Sequence, residues 1–269
     1  MRQRSIAGAF ALTTLLATAA QAGPLVTLQP GEAASEDVFV YEFAVPGAFG
    51  IATAARATNL DSATLGALTP LPAVPFGNFL GSSNTTPLIG AGGETRAHDT
   101  RTLIRFDLAG LALASGSIAK ATLGLFAVPG LPPFDDPTAA RPVTTELREV
   151  TSAWGETTVT WETQPSVSDV VGTFVQTGVN QFVTFDVTGL VKDWLDDPSG
   201  NLGVRLSQPD ILASDAGRPI ASLYLSSTAA DPSLRPFLAI ETVPEPATSA
   251  LLGAGVGMIA WKTRRRRTA

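Results

Sequence analysis

Only one histidine, His98, occurs in the 269 residues, and there is no cysteine. Thiolate nucleophiles, thiolate metal sites, disulfide staples and multi-histidine metal centres are therefore excluded. His98 stands in Arg96-Ala-His-Asp99, just ahead of an alternating segment. A lone imidazole needs a nucleophile and an orienting partner before it can act as a base, so it reads as a solvated loop residue. Gly-x-Ser-x-Gly, a Gly-Lys-[Ser/Thr] phosphate loop and His-Glu-x-x-His are all missing. What remains is carboxylate chemistry. Glu156 with Glu162, or Asp135 with Asp136, is the kind of pair a glycosidase uses. Among 24 acidic residues such pairs arise by chance, and none is singled out. Asp193, Asp196, Asp197 and Asn201 crowd the end of a helical stretch, where the helix dipole disfavours negative charge. Calcium would relieve that repulsion with oxygen ligands, but no EF-hand spacing is present and the cluster reads as a solvated helix stop. No catalytic, cofactor-binding or metal-ligating residue is assigned. No cofactor is expected, calcium being the one candidate.

The elements that would position any such chemistry lie in an acidic body. The formal net charge is −6, but 23 acidic residues face only 11 basic ones between Gly23 and Thr242. Arg2, Arg4, Lys262 and Arg264 to Arg267 sit at the ends. A body of that sign repels phosphate backbones, so nucleic acid is not an expected partner.

Both ends read as addresses. Arg2 and Arg4 give a positive start, residues 6–19 are apolar, and Ala20-Gln21-Ala22 places small residues around one position. Residues 1–22 thus read as a secretory signal peptide cut between Ala22 and Gly23. The apolar run is shorter than the about 20 residues of a full span, and Gln3 between the arginines disfavours a paired-arginine signal. At the other end, Val243, Pro244, Glu245 and Pro246 lead into a Gly/Ala-rich apolar stretch ending at Trp261. Lys262 and the cluster of four arginines follow. On hydropathy alone this is a short membrane anchor with its basic cluster inside the cytoplasm. The order of the three parts resembles the PEP-CTERM sorting signal. That resemblance implies recognition and removal by a membrane exosortase, a Gram-negative bacterium that exports exopolysaccharide, and transient anchoring in the inner membrane.

Between the ends, alternation is common and helical periodicity scarce. Candidate strands are 36–45, 101–108, 118–128, 143–150, 157–162, 181–187, 202–206, 220–226 and 236–241, separated by Pro, Gly, Ser and Asp. Residues 58–100 show no clear period, and 52–100 reads as an irregular insertion or loop. Thr188 can cap one helix whose Leu190, Val191, Trp194 and Leu195 make an apolar stripe, stopped by Pro198 and Gly200. Trp194 reads as a core plug. The expected fold is all-β: an antiparallel, jelly-roll-like β-sandwich with one short helix over residues 23–242. The signal peptide (1–22) and a hydrophobic sorting helix with its arginine tail (243–269) flank it.

The motifs of this body occur in a telling order. Residues 101–111 read Arg-Thr-Leu-Ile-Arg-Phe-Asp-Leu-Ala-Gly-Leu, followed by Ala121-Thr-Leu-Gly-Leu-Phe126, Trp154-Gly-Glu156 and Val159-Thr-Trp161 with Pro165. Then come Val183-Thr-Phe-Asp-Val-Thr-Gly-Leu-Val-Lys-Asp-Trp194, Asn201-Leu-Gly-Val204 and Arg235-Pro236. Upstream stand Asn78-Phe-Leu-Gly-Ser-Ser83 and Pro87-Leu-Ile-Gly90. The whole resembles the DNRLRE domain, a β-sandwich family similar to carbohydrate-binding modules. The resemblance implies an exported, non-catalytic surface or extracellular-matrix protein that binds extracellular polysaccharide. A structural spacer or adhesin without a glycan site, and a polysaccharide-degrading enzyme, stay as alternatives. Sugar platforms use exposed aromatic rings, and Trp154, Trp161 and Trp194 all read as core. Only Phe76, Phe79 and Phe134 remain on expected loops. For an acidic glycan, Arg96, Arg101, Arg105 or a bridging cation would have to offset the negative body.

Overall fold

The computed structural model describes residues 25–29, 35–44, 55–58, 79–84, 88–89, 95–130, 135–156, 158–209 and 220–243. Both terminal segments, including Ala22, Gly23, Pro244, Glu245 and Pro246, lie outside the described residues. Among these described residues, thirteen strands and one α-helix follow one another: β1 (Leu25–Leu28), β2 (Ser35–Ala44), β3 (Ala55–Thr58), β4 (Phe79–Asn84), β5 (Leu88–Ile89) and β6 (Thr95–Phe106). Then come β7 (Ile118–Val128), β8 (Val143–Val150), β9 (Val167–Gln176), β10 (Gln181–Asp186), α1 (Thr188–Asp196), β11 (Val204–Ser207), β12 (Ser222–Leu225) and β13 (Phe237–Thr242). Every pairing between these strands is antiparallel.

Two layers result. In the first, β7 is central: β10 pairs along one side, and β13 followed by β12 along the other, with β1 beyond β13 and β4 beyond β12. In the second layer the order is β3, β2, β6, β11, β8, β9. β4 begins in the first layer against β12 and ends in the second against β6, making a corner between them. Alternation explains which faces meet. Leu123, Leu125, Val183, Phe185, Leu238 and Ile240 of the first layer are buried against Ile104, Phe106, Leu147, Val204 and Leu206 of the second. Each such aliphatic side chain contributes roughly 1.5–3 kcal/mol on leaving water. The all-β sandwich with one short helix is the architecture expected from the alternation.

The helix closes one end of this core with Leu190, Val191 and Trp194, the expected stripe. Its cap differs from expectation. The N-cap is Val187, without a side-chain bond, and Thr188 lies inside the first turn. Asp186 takes over the capping chemistry, its carboxylate accepting the Thr188 N–H at 2.9 Å and hydroxyl at 2.6 Å. The Thr188 hydroxyl oxygen is thereby turned to accept the Ala121 N–H at 2.9 Å, tying helix to β7. These bonds hold the Asp186 carboxyl below its ordinary value.

Three strand expectations need correction. The expected strand 157–162 is absent among its described residues, 158–162, because Thr160 and Thr163 satisfy each other's backbone. The Thr160 N–H donates to Thr163 Oγ1 and the Thr163 N–H to Thr160 Oγ1, at 2.8 and 3.2 Å. Second, β9 goes unannounced in the sequence. It is a sheet-edge strand with a register irregularity opposite Leu147 to Val150, which blurs the two-residue period. Third, β6 starts at Thr95 rather than near 101, because β2 pairs along it for ten residues from Phe106 to Ala97. The irregular stretch 52–100 accordingly contains β3, β4, β5 and the first half of β6 among its described residues.

Candidate functional site

The outward face of the first layer carries an aromatic row. Phe182 of β10 stands directly across from Phe126 of β7. Phe237 of β13 is paired with Gly124, and a Cβ there would collide with the Phe237 ring, so only glycine leaves that ring its seat. The three rings meet edge to face, with centroids 5.1 Å apart for Phe126 and Phe182 and 5.3 Å for Phe182 and Phe237. Phe182 is 38% exposed. Thr122, partly buried, and Thr184 and Asp186, both exposed, share this face by register, adding hydroxyl and carboxylate groups around the rings. Sequence reading missed this row, because its members come from strands separated by more than 50 residues each and their flanks read as core.

The outward face of the second layer is built differently. Residues 151–166 fold across it, and Val38, Val40, Leu103, Val150 and Val159 form a second small core with Trp154, Trp161 and Leu202. Trp154 donates its indole N–H to Leu202 O at 2.8 Å, and the Arg105 guanidinium lies 5.5 Å from its ring centroid. Arg101 lies 4.5 Å from the Trp161 centroid. These two tryptophans are half-buried rather than fully in the core. Four arginines, Arg101, Arg105, Arg148 and Arg205, therefore share one sheet face by register. Carboxylates stand among them: Arg105 pairs with Glu36, Arg101 with Asp99 at 2.9 Å and Arg148 with Glu146 at 2.9 Å. Arg205 is directly opposite Arg148, and its Nε is buried without a partner. Burial first, then the charges of Arg101 and Arg148, push its guanidinium down to about 10. Like charges in register cost stability, and an anion over this row would remove that cost.

A cleft of about 390 Å³ opens at the helix end of the sandwich, between Glu36, Arg105, Leu108, Leu113, Trp194 and Asn201. Trp194 itself is 4% exposed and donates its indole N–H to Glu149 Oε1 at 2.9 Å, which makes it the plug expected from its stripe.

The carboxylates weighed for acid–base work have other partners. Burial, and then the nearby charges of Asp37 and Glu36, raise the Glu156 carboxyl, while the Asp37 backbone N–H bonds to it. Glu162 is exposed and accepts the Thr160 hydroxyl at 3.4 Å. Asp136 accepts the Gly130 N–H, and the Asp135 carbonyl accepts the Ala221 N–H at 3.4 Å. The acidic end of α1 is likewise tied down. Asp196 accepts from Ser115 Oγ, Asp197 from Ser199, and Asn201 donates to Phe106 O. Among the described residues no three His, Cys, Asp or Glu gather in a metal-binding group. The side chains of His98, Arg96 and Phe79, together with Phe76 and Phe134, lie outside the described residues. Of the expected sorting motif only Val243 is described; its N–H donates to Ser117 O at 2.7 Å. Among the described residues no helix is long and apolar enough to cross a membrane.

Comparison with known proteins agrees with this architecture. Residues 82–215, which include β5 to β11 and the helix, match the model of carbohydrate-binding module family 96. Residues 242–267 match the PEP-CTERM protein-sorting motif. No curated protein matches the sequence. The chain thus carries a segment similar to carbohydrate-binding module family 96, followed by a match to the PEP-CTERM protein-sorting motif.

Proposed function

We propose that this protein is exported, sorted by an exosortase-type enzyme, and binds extracellular polysaccharide without cleaving it. The observation that carries the reading is the Phe126–Phe182–Phe237 row on the open face of the first layer. Aromatic side chains offer large, rigid apolar faces at low entropic cost. The C–H edges of a pyranose ring pack against such faces, while Thr184 and its neighbours meet the sugar hydroxyls. The mature chain runs from Gly23 to the neighbourhood of Val243 to Pro246 in this reading, and the apolar C-terminal stretch holds it in the inner membrane only until it is processed.

A second placement is favoured by one specific observation, the in-register Arg148 and Arg205 on the other layer. An acidic glycan would neutralise that pair. Equilibrium binding to the producing cell's own exopolysaccharide, and to neutral and uronate-rich polysaccharides, separates the two. With the aromatic face in use, Phe182→Ala weakens binding tenfold or more while the melting temperature moves by only a few degrees. If Phe182→Ala binds as the wild type does and Arg205→Gln does not, the arginine face is the site. Retention on no glycan leaves a structural spacer or adhesin as the better account. Reducing ends released in proportion to protein concentration would overturn the non-catalytic assignment.

A further inference from the structure

We infer that β9 is a self-association edge, on which a second copy of this chain adds an antiparallel strand. Among the described residues β9 pairs only with β8, so its other side presents an unpaired row of N–H and C=O groups. Three of the six exposed large hydrophobic residues of the described chain lie on it: Val170, Val171 and Val175, at 39%, 45% and 52%. Edge strands are usually protected by lysine or proline, and Val167–Gln176 has neither. Its one charge is Asp169, followed by an uncharged stretch from Val170 to Gln176. On a body with 23 acidic and 11 basic residues, a strand with a single acidic residue lets two copies approach with little repulsion.

The sequence of the strand is complementary to itself about Thr173. A two-fold axis there sets Thr173 against Thr173 of the second copy, and Val171, at the register shift of β9, against Val175 on either side, all three being exposed. β-Branched pairs of this kind are favourable across a sheet. On the inward face Gly172 falls opposite Phe174. Nothing stands within 4 Å of where a Gly172 Cβ would be, so space is open at that position. The two Asp169 residues are then about 26 Å apart along the strands, at roughly 3.3 Å per residue. The two Glu146 residues, each beside Thr173 on β8, are about 14 Å apart at roughly 4.8 Å per strand. Both separations exceed the Debye length of about 8 Å at physiological salt.

Because the chain has no cysteine, single-cysteine variants of the full chain test the register. Opposed residues in an antiparallel pair have Cα atoms about 4.5–5.5 Å apart, within reach of a disulfide. Under mild oxidation Thr173→Cys is expected to form a covalent dimer. Val171→Cys and Val175→Cys are expected to do so only when mixed with each other, and Thr184→Cys, on the aromatic face, stays a monomer. Thr173→Lys sets two like charges in contact, and is expected to raise the dimer dissociation constant at least tenfold in sedimentation equilibrium with an unchanged circular dichroism spectrum. Association driven by the apolar C-terminus instead would leave that constant unchanged and cross-link Thr173→Cys no faster than Thr184→Cys. Either result overturns the inference, as does a wild type that is monomeric at all concentrations.

Discussion

Truncating Trp194 tests whether the helix is the plug of this sandwich. The indole is 4% exposed, packs in the main core beside Leu190 and Val191, and gives its N–H to Glu149 Oε1 at 2.9 Å. Trp194→Ala removes the ring and leaves a cavity under the first layer, at a cost of about 3–5 kcal/mol. Trp194→Phe keeps most of the apolar volume but removes the donor to a carboxylate. A hydrogen bond to a charged group contributes about 1.5–3 kcal/mol, so the phenylalanine variant should fall between wild type and alanine. For a domain of this size each kcal/mol moves the melting temperature by about 2–4 °C, so Trp194→Ala should lose about 6–20 °C. Far-ultraviolet circular dichroism in a urea titration measures the ladder without depending on the fluorophore removed. Equal losses for the two variants would show that the Glu149 bond, not the ring, carries the stability. An unchanged melting temperature with lost polysaccharide binding would place the ring on a ligand face instead, and refute the packing argument.

Gly203 has φ +84°, and a Cβ there would collide with the Ile104 carbonyl oxygen and crowd Arg105. Gly203→Ala should therefore destabilise by more than about 2 kcal/mol, combining left-handed strain with overpacking, as read from denaturant midpoints. Burial raises the Asp37 carboxyl above its ordinary 3.8, against the lowering bonds it accepts from Ser227. An acid whose pKa rises on folding costs stability at pH values above its folded pKa, and the cost fades as pH falls towards 3.8. As pH falls from 7 to 4, wild type should accordingly gain stability relative to the Asp37→Asn variant in parallel thermal melts, and a constant difference would contradict the buried-charge account. Mass measurement of secreted protein should begin at Gly23 and stop near Val243 to Pro246, whereas intact Arg264 to Arg267 outside the cell would favour a plain anchor. Calcium and chelator should alter binding to an acidic glycan but leave a neutral one untouched, which equilibrium dialysis resolves.

How much of this was legible in the sequence depended on whether a signal was local. β7 and β8 were read to their final bounds, because Leu123 and Leu125, or Val143, Thr145 and Leu147, repeat every second residue on a strand buried on one side. The helix stripe was legible for the same reason, Leu190, Val191 and Trp194 lying within two turns. The C-terminal sorting signal is linear by nature, its parts recognisable in order without any fold. Tertiary structure decided the rest. Phe126, Phe182 and Phe237 become one surface only when β10, β7 and β13 are laid side by side. The in-register arginines likewise depend on β8 and β11 meeting across more than 50 residues of sequence. Asp186 displaced Thr188 as the capping group because the β7 backbone presents the Ala121 N–H to the threonine oxygen, a partner 67 residues away. Local sequence sets which face of a strand turns inward; which outward residues become neighbours is set by strand order, and strand order is a property of the packed core alone.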